Sequence, residues 1–166
     1  MKKALVFTFL FTLISTTWIS CKKDASDDPD SEIGRLYTEV NDNNFVYYKG
    51  EDKVLSPKGS SPHGDFKLRF NNIALAALDS TGKLPIGASF PSGSIVLKEI
   101  IKDGKVDAYY PMKKDPGNGN SAKGWMWYAF EKGGKVKVKL SDKGNDCVGC
   151  HSAGGHRDYT LSFDLH

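Results

Sequence analysis

Apolar residues recur along this chain in two rhythms, and the longer one is rare. Ile33, Leu36, Tyr37 and Val40 fall at i, i+3, i+4 and i+7, one stripe of an amphipathic helix. Ser31 stands where its N-cap would be, and Asn41 to Asn44 ends it. From Phe66 onward the period shortens to two. Phe66, Leu68 and Phe70 alternate with Lys67 and Arg69, which predicts a half-buried strand. Ile73 to Leu78 fits a helical turn or a strand equally well. Ser94 to Ile101 is apolar on both faces, with Ile95, Leu97 and Ile101 on one and Val96 and Ile100 on the other. Asp103-Gly104 signals a tight hairpin leading into a strand over Val106 to Met112. Lys113 to Lys123, rich in Gly, Asn and Asp, reads as a loop. An aromatic strand over Trp125 to Glu131 turns at Lys132-Gly133-Gly134-Lys135. Val136, Val138 and Leu140 then alternate with Lys137 and Lys139. Near the end, Tyr159, Leu161, Phe163 and Leu165 alternate with Thr160, Ser162 and Asp164, which predicts a closing half-buried strand. The whole pattern predicts an α+β fold, mainly antiparallel β-sheet with a few short helices, in one domain.

The first thirty residues follow neither rhythm. Lys2 and Lys3 precede an apolar run from Ala4 to Ile14 that is too short to span a bilayer before Ser15-Thr16-Thr17. Residues 1–20 therefore read as an export signal. The run ends Trp18-Ile19-Ser20-Cys21, which resembles the lipobox of bacterial lipoproteins and implies cleavage before Cys21 and lipidation of it. Trp18 departs from that pattern, since an aliphatic residue is usual there, and leaves cleavage by the ordinary signal peptidase open. Residues 21–31 carry almost no apolar side chain and read as a tether. The domain proper is expected over 32–166. These features predict an exported protein on the periplasmic side, held to a bacterial membrane by lipid.

Charge adds an exclusion. The formal net charge is +3, and loss of Lys2 and Lys3 leaves it at +1. A near-neutral chain gives no electrostatic reason to expect a nucleic-acid partner.

Chemistry concentrates in Cys147-Val148-Gly149-Cys150-His151. Two thiols three apart, followed at once by an imidazole, form the attachment signature of a c-type haem. The sulfurs add to the two vinyl groups, and the adjacent histidine reaches the iron as proximal ligand. A redox disulfide would use the same Cys pair but needs a βαβ setting, which the pattern lacks. A structural zinc site needs four ligands, and the chain has no second Cys pair. The three cysteines divide into one lipid anchor, Cys21, and two haem anchors, Cys147 and Cys150. Export suits the haem, because such attachment is completed outside the cytoplasm.

A resemblance then becomes specific. Phe90-Pro91-x-Gly93-Ser94-Ile95-Val96-Leu97-Lys98-Glu99, the aromatic Trp125-x-Trp127-Tyr128-x-Phe130, the haem motif and Asp158-Tyr159 together resemble the cytochrome P-460 family. Its sister group is the β-sheet cytochromes c′, or cytochrome c′-beta. The resemblance covers about residues 85–166. It implies a mainly antiparallel, often dimeric protein with one covalent haem c, five-coordinate and open on its distal side. Members of the P-460 branch bond a lysine to the porphyrin edge and oxidise hydroxylamine towards nitrous oxide. Members of the c′-beta branch lack that bond and bind nitric oxide or carbon monoxide.

Carried onto this chain, the resemblance implies Cys147 and Cys150 as haem anchors, His151 as iron ligand and Lys98 as the cross-linking lysine. Lys98 is odd on its own terms, since it lies between Val96 and Ile100 on an apolar face where an ammonium is expensive to desolvate. Its stem could instead pack while its charge reaches water. Hydroxylamine-oxidising members place a Glu a few residues before the first haem cysteine. Here Lys143 stands near that position, and the flanking Asp142 and Asp146 are the candidate proton acceptors. Three function classes follow: an oxidoreductase acting on hydroxylamine or related nitrogen oxides, a nitric oxide- or carbon monoxide-binding cytochrome, and an electron carrier serving a periplasmic partner. The second needs an apolar distal cap, for which Phe66, Phe70 and Phe130 are candidates. The third needs a second axial ligand, and His63, His156, Met112 and Met126 are available. The plain reading of His63 is a solvated residue in the loop 56–64. The alternative sets it over the haem.

Overall fold

The computed structural model describes residues 31–41, 44–59 and 61–166; the export segment, Cys21 and nearly all of the tether lie outside them. Helix α1 (Glu32–Asn41) buries Leu36 and Val40, and the Ser31 hydroxyl accepts from the Gly34 N–H at 3.0 Å, so the cap forms as expected. Among the described residues the strands are β1 (Val46–Tyr47), β2 (Phe66–Phe70), β3 (Ile95–Lys102), β4 (Lys105–Lys114), β5 (Trp125–Trp127), β6 (Ala129–Glu131) and β7 (Val136–Val138). They form one sheet in the order β1-β2-β3-β4-β6-β7, with β5 also paired to β4. Every pairing is antiparallel. The β3–β4 hairpin turns on Asp103 and Gly104, both at positive φ, the backbone a two-residue primed turn requires. Ile73 to Leu78 resolves in favour of helix. A short α2 (Asn72–Leu75) is capped by the Asn71 side chain, which accepts from the Ala74 N–H at 3.0 Å.

Period-two alternation sorts β3 into two faces that meet different partners. Ile95 and Leu97 join Tyr109, Met126 and Phe130 in a core closed by Leu36 and Val40 of α1. Val96 lies on the opposite face with Phe66, Leu68, Phe70, Met112 and Trp127. Lys98 shares that second face, paired across the sheet with Leu68 and Tyr110. Glu99 points the other way and holds Arg69 in a buried ion pair at 2.6 Å. One strand therefore carries opposite charges on opposite faces.

Four expectations need correction. The last segment is not a strand: Asp158 and Tyr159 both take left-handed backbone (φ 50° and 68°), and a one-turn helix α4 (Ser162–Leu165) follows. The alternation misled because Thr160 and Ser162 are the buried members, beside Phe163. The aromatic strand is interrupted at Tyr128, since β4 pairs its C-terminal end with β5 and its middle with β6. Lys113 and Lys114 continue β4 rather than opening the loop. Leu140 lies in a short 3-10 turn, Leu140–Asp142, beyond the end of β7.

Candidate functional site

The haem motif folds as helix α3 (Asn145–His151). On a helix, residues at i, i+3 and i+4 share a face, so Cys147, Cys150 and His151 present two thiols and an imidazole on one side. The helix enters through Gly144 at φ 63°. A Cβ there would sit 2.4 Å from the Trp127 ring, so only glycine fits both the backbone and the close approach. The Trp127 indole also meets the His151 ring edge-on, with centroids 5.0 Å apart. One side chain from β5 therefore supports the motif helix at both ends.

Beyond His151 the chain doubles back. The Tyr159 N–H donates to the Gly154 carbonyl at 2.9 Å, and Gly154 has no room for a Cβ against Leu161. This return brings the Tyr159 carbonyl to the His151 ring, whose Nδ1–H donates to it at 2.8 Å. With Nδ1 holding the proton, Nε2 keeps its lone pair free, the arrangement of a metal-ligating histidine fixed by an outer partner. Asp158 anchors the return. Its carboxylate pairs with Lys114 at 2.7 Å and accepts from the Phe90 N–H at 2.9 Å and the Trp125 indole N–H at 3.3 Å. Asp158, Lys114, Phe90 and Trp125 are all buried.

In front of the motif is a cavity of about 440 Å³, within the usual size of a cofactor site. Its floor is the second face of the sheet, with Val96, Lys98, Tyr110, Met112 and Trp127; Cys147, Cys150 and His151 close one side and Ser61, Pro62 and His63 another. Both thiols are free, Cys147 half-buried and Cys150 exposed. Burial, with Asp146 and Cys150 nearby, pushes the Cys147 thiol above its ordinary range. Burial lowers the Lys98 amine to about 8. Among the described residues its ammonium has only the Phe66 ring, 4.6 Å away. Burial, then the charge of Lys98 and the proximity of His151, lowers His63 to about 4. Burial also lowers His151, Lys98 adds to that, and the Tyr159 bond works against both.

The structure thus gathers Lys98, Asp146, Cys147, Cys150 and His151 around one cavity and leaves Asp142 off it. Asp146 is exposed, at the rim. Of the proposed second ligands, Met126 packs on the far face and His156 bonds Asp164 at 3.1 Å; Met112 and His63 line the cavity. None of the three candidate cap phenylalanines does: Phe66 and Phe70 fill the core beside it, and Phe130 belongs to the α1 side. Trp127, Asp158 and the Tyr159 carbonyl were not expected as parts of the site. Only the resemblance hinted at them, through its aromatic Trp125-x-Trp127-Tyr128-x-Phe130 and Asp158-Tyr159 fragments.

Two thiols and an imidazole on one helix face beside an apolar cavity are a donor set that fits a porphyrin. A mainly antiparallel domain with paired thiols and a polarised imidazole beside an apolar cavity has the architecture of a β-sheet haem protein. The family model for cytochrome P460 matches residues 47–162, and the chain belongs to that family. Membership makes it a haem-iron cytochrome. The match reaches back to residue 47, so it takes in β2 and the His63 loop, well before the motifs that carried the resemblance. No curated protein matches the chain.

Proposed function

We propose that this is a mono-haem c-type cytochrome that oxidises hydroxylamine or a related small nitrogen compound in the cavity over α3. The observation that carries the reading is that Lys98 shares one cavity with the Cys147, Cys150 and His151 motif. The haem supplies iron for ligand binding and one-electron chemistry. Cys147 and Cys150 fix the group through thioethers, and the His151 Nδ1–H···O=C bond to Tyr159 orients the ring that meets the metal. Lys98 brings an amine with a reduced proton affinity to the cavity wall, the property a lysine bonded to a porphyrin edge requires.

Oxidation of hydroxylamine releases protons as well as electrons, so the cavity must hold acceptors. Asp146, exposed at the cavity rim, is the carboxylate we assign to pass protons to water. The electrons leave to a periplasmic partner. The export signal and Cys21 support a lipid-anchored protein facing that compartment, and a homodimer accords with the family.

A second reading, reversible binding of nitric oxide or carbon monoxide, is favoured by the apolar walls of Val96, Pro111, Met112, Val138 and Leu161. Proteolysis of the mature holoprotein separates the two. Co-migration of the peptide containing residue 98 with the haem peptide containing residues 147–151, together with hydroxylamine-dependent reduction of an electron acceptor, supports the oxidase. A free Lys98 peptide and no turnover put gas binding first.

A further inference from the structure

Charge on this molecule is not spread evenly. Residues 132–143 hold five lysines, Lys132, Lys135, Lys137, Lys139 and Lys143, against one acid, Asp142. That excess is larger than the +3 of the whole chain. All five lysines are exposed. Among the described residues only Lys135 has a carboxylate partner, Glu131 at 3.3 Å. Several cations elsewhere differ: Lys67, Arg69, Lys113, Lys114 and Arg157 each hold a carboxylate.

Keeping a sheet edge soluble accounts for little of this. β7 ends the strand order of the sheet, and a lysine on an edge discourages pairing with another chain. But β7 spans only Val136–Val138, so that role calls for Lys137 alone. The other four lie before and after the strand.

The segment runs beside the haem site. Val138 lines the cavity, so β7 forms part of its wall. The Lys137 amine stands 5.9 Å from the centre of the Tyr110 ring, another lining residue. Lys143 is followed by Gly144, which opens the motif helix α3. The acids adjoining the segment in sequence are Glu131, already paired, and Asp146, too few to neutralise it.

We propose that the surface of residues 132–143 docks an acidic electron-transfer protein, which takes electrons from the haem one at a time. Each encounter moves one electron: the partner's oxidised centre is reduced by one and the haem iron oxidised by one, with no atom transferred. This rests on the haem reading above and names the chemistry of the periplasmic partner. Attraction between the lysines and the partner's carboxylates steers the encounter, an effect worth roughly 10–10³-fold in rate at low salt. Redox encounters bury less than about 1,200 Å², so one edge of the sheet is enough. Charges at such a rim set how fast the partners meet more than how tightly they hold.

The test uses the mature holoprotein, reduced with dithionite and desalted, so it does not depend on hydroxylamine turnover. Two blue-copper proteins, one of net negative and one of net positive charge, serve as one-electron oxidants in stopped flow. Wild type is compared with Lys132→Glu/Lys139→Glu/Lys143→Glu and with Lys102→Glu/Lys105→Glu/Lys123→Glu, exposed positions that do not line the cavity. Both triples change the net charge equally, and both should keep the wild-type absorption spectrum. At low salt the acidic oxidant is expected to react at least about tenfold slower with the first triple and nearly normally with the second. The difference should vanish in 1 M salt, where charges are screened beyond about 3 Å. The basic oxidant should react faster with the first triple. Carbodiimide, which joins amines to carboxylates, should cross-link the acidic protein to wild-type peptides from residues 132–143. Equal slowing by both triples, no slowing, or cross-links confined to other lysines overturns the proposal with the haem reading intact. So does a preference for anionic over neutral lipid vesicles that only the first triple loses, with oxidation rates unchanged, which assigns the patch to a membrane. A protein with no reducible haem overturns both.

Discussion

The carboxylate of Asp158 and the ammonium of Lys114 meet at 2.7 Å with both side chains almost wholly shielded from solvent. The pair ties the segment after the haem motif to the end of β4, and Asp158 is adjacent to the Tyr159 carbonyl that positions His151. Removing one partner leaves a buried charge alone, which costs about 3–5 kcal/mol. Asp158→Ala should therefore lower the urea midpoint sharply and reduce holoprotein yield. Asp158→Leu combined with Lys114→Met should recover most of the stability, because an apolar pair of similar volume removes both charges. Equal loss in the single and double variants would show that the contacts to Phe90 and Trp125 matter more than the ion pair.

The anchors should behave unequally. Cys147→Ala or Cys150→Ala should reduce haem yield while leaving a single thioether in any holoprotein formed, detectable by mass spectrometry. His151→Ala should lose the proximal ligand, and its reduced spectrum should change at the iron bands.

Lys98 gives a pH-dependent outcome. Its amine in the folded chain titrates near 8 rather than 10.5, because burial disfavours the charged form. Below pH 8 folded and unfolded chains both hold the proton, and the folded one bears the full desolvation penalty. Between pH 8 and 10.5 the unfolded chain binds more protons, so stability rises with pH. Lys98→Met should stabilise the haem-free protein by about 2–3 kcal/mol at pH 7, and by little above pH 10.5. Urea titrations at the two pH values check this. A gain independent of pH would mean that the effect is packing.

Gly144→Ala should be severe for a surface-sized change. Left-handed backbone costs a non-glycine residue about 1–2 kcal/mol, and the new methyl would overlap the Trp127 ring. Loss of at least about 2 kcal/mol is expected, with a shift in the His151 environment. Trp127→Leu in the same chain should relieve the overlap but not the backbone strain.

Cys21 should carry lipid. Labelled fatty acid incorporated into the wild type and absent from Cys21→Ala would support the anchor; equal labelling would remove it.

Much of the sheet was legible because its strands have one clear chemistry per face. The alternation at Phe66 to Phe70, the two-faced run at Ile95 to Ile101 and the Asp103-Gly104 turn each state their structure locally. The haem motif was legible for a different reason: its spacing is dictated by the group it holds. The closing segment was not, since nothing local announces left-handed backbone at both Asp158 and Tyr159. That conformation is imposed by Lys114, Phe90 and Trp125, all distant in sequence. His63 was half legible, with a place over the haem open beside the solvated reading. A proline-, serine- and glycine-rich loop reads as solvated, and the fold decides between the two by bringing the His63 ring to 6.4 Å from that of His151. Asp142 and Asp146 looked equivalent as neighbours of the motif, but the 3-10 turn at Leu140–Asp142 separates them, and only Asp146 borders the cavity.

The opposed charges of β3 have a consequence for how the sheet assembles. Shifting a strand by one residue exchanges its two faces, and an all-apolar strand such as Ile-Val-Leu-x-x-Ile would tolerate that exchange with little to signal the error. With Lys98 and Glu99 in place it cannot. A slipped β3 would turn Lys98 towards Arg69, cation against cation, and push the Glu99 carboxylate into the apolar cavity without a partner. The two residues act as a proofreading mark: mispairing is penalised twice, at a point where hydrophobicity alone could not tell right from wrong.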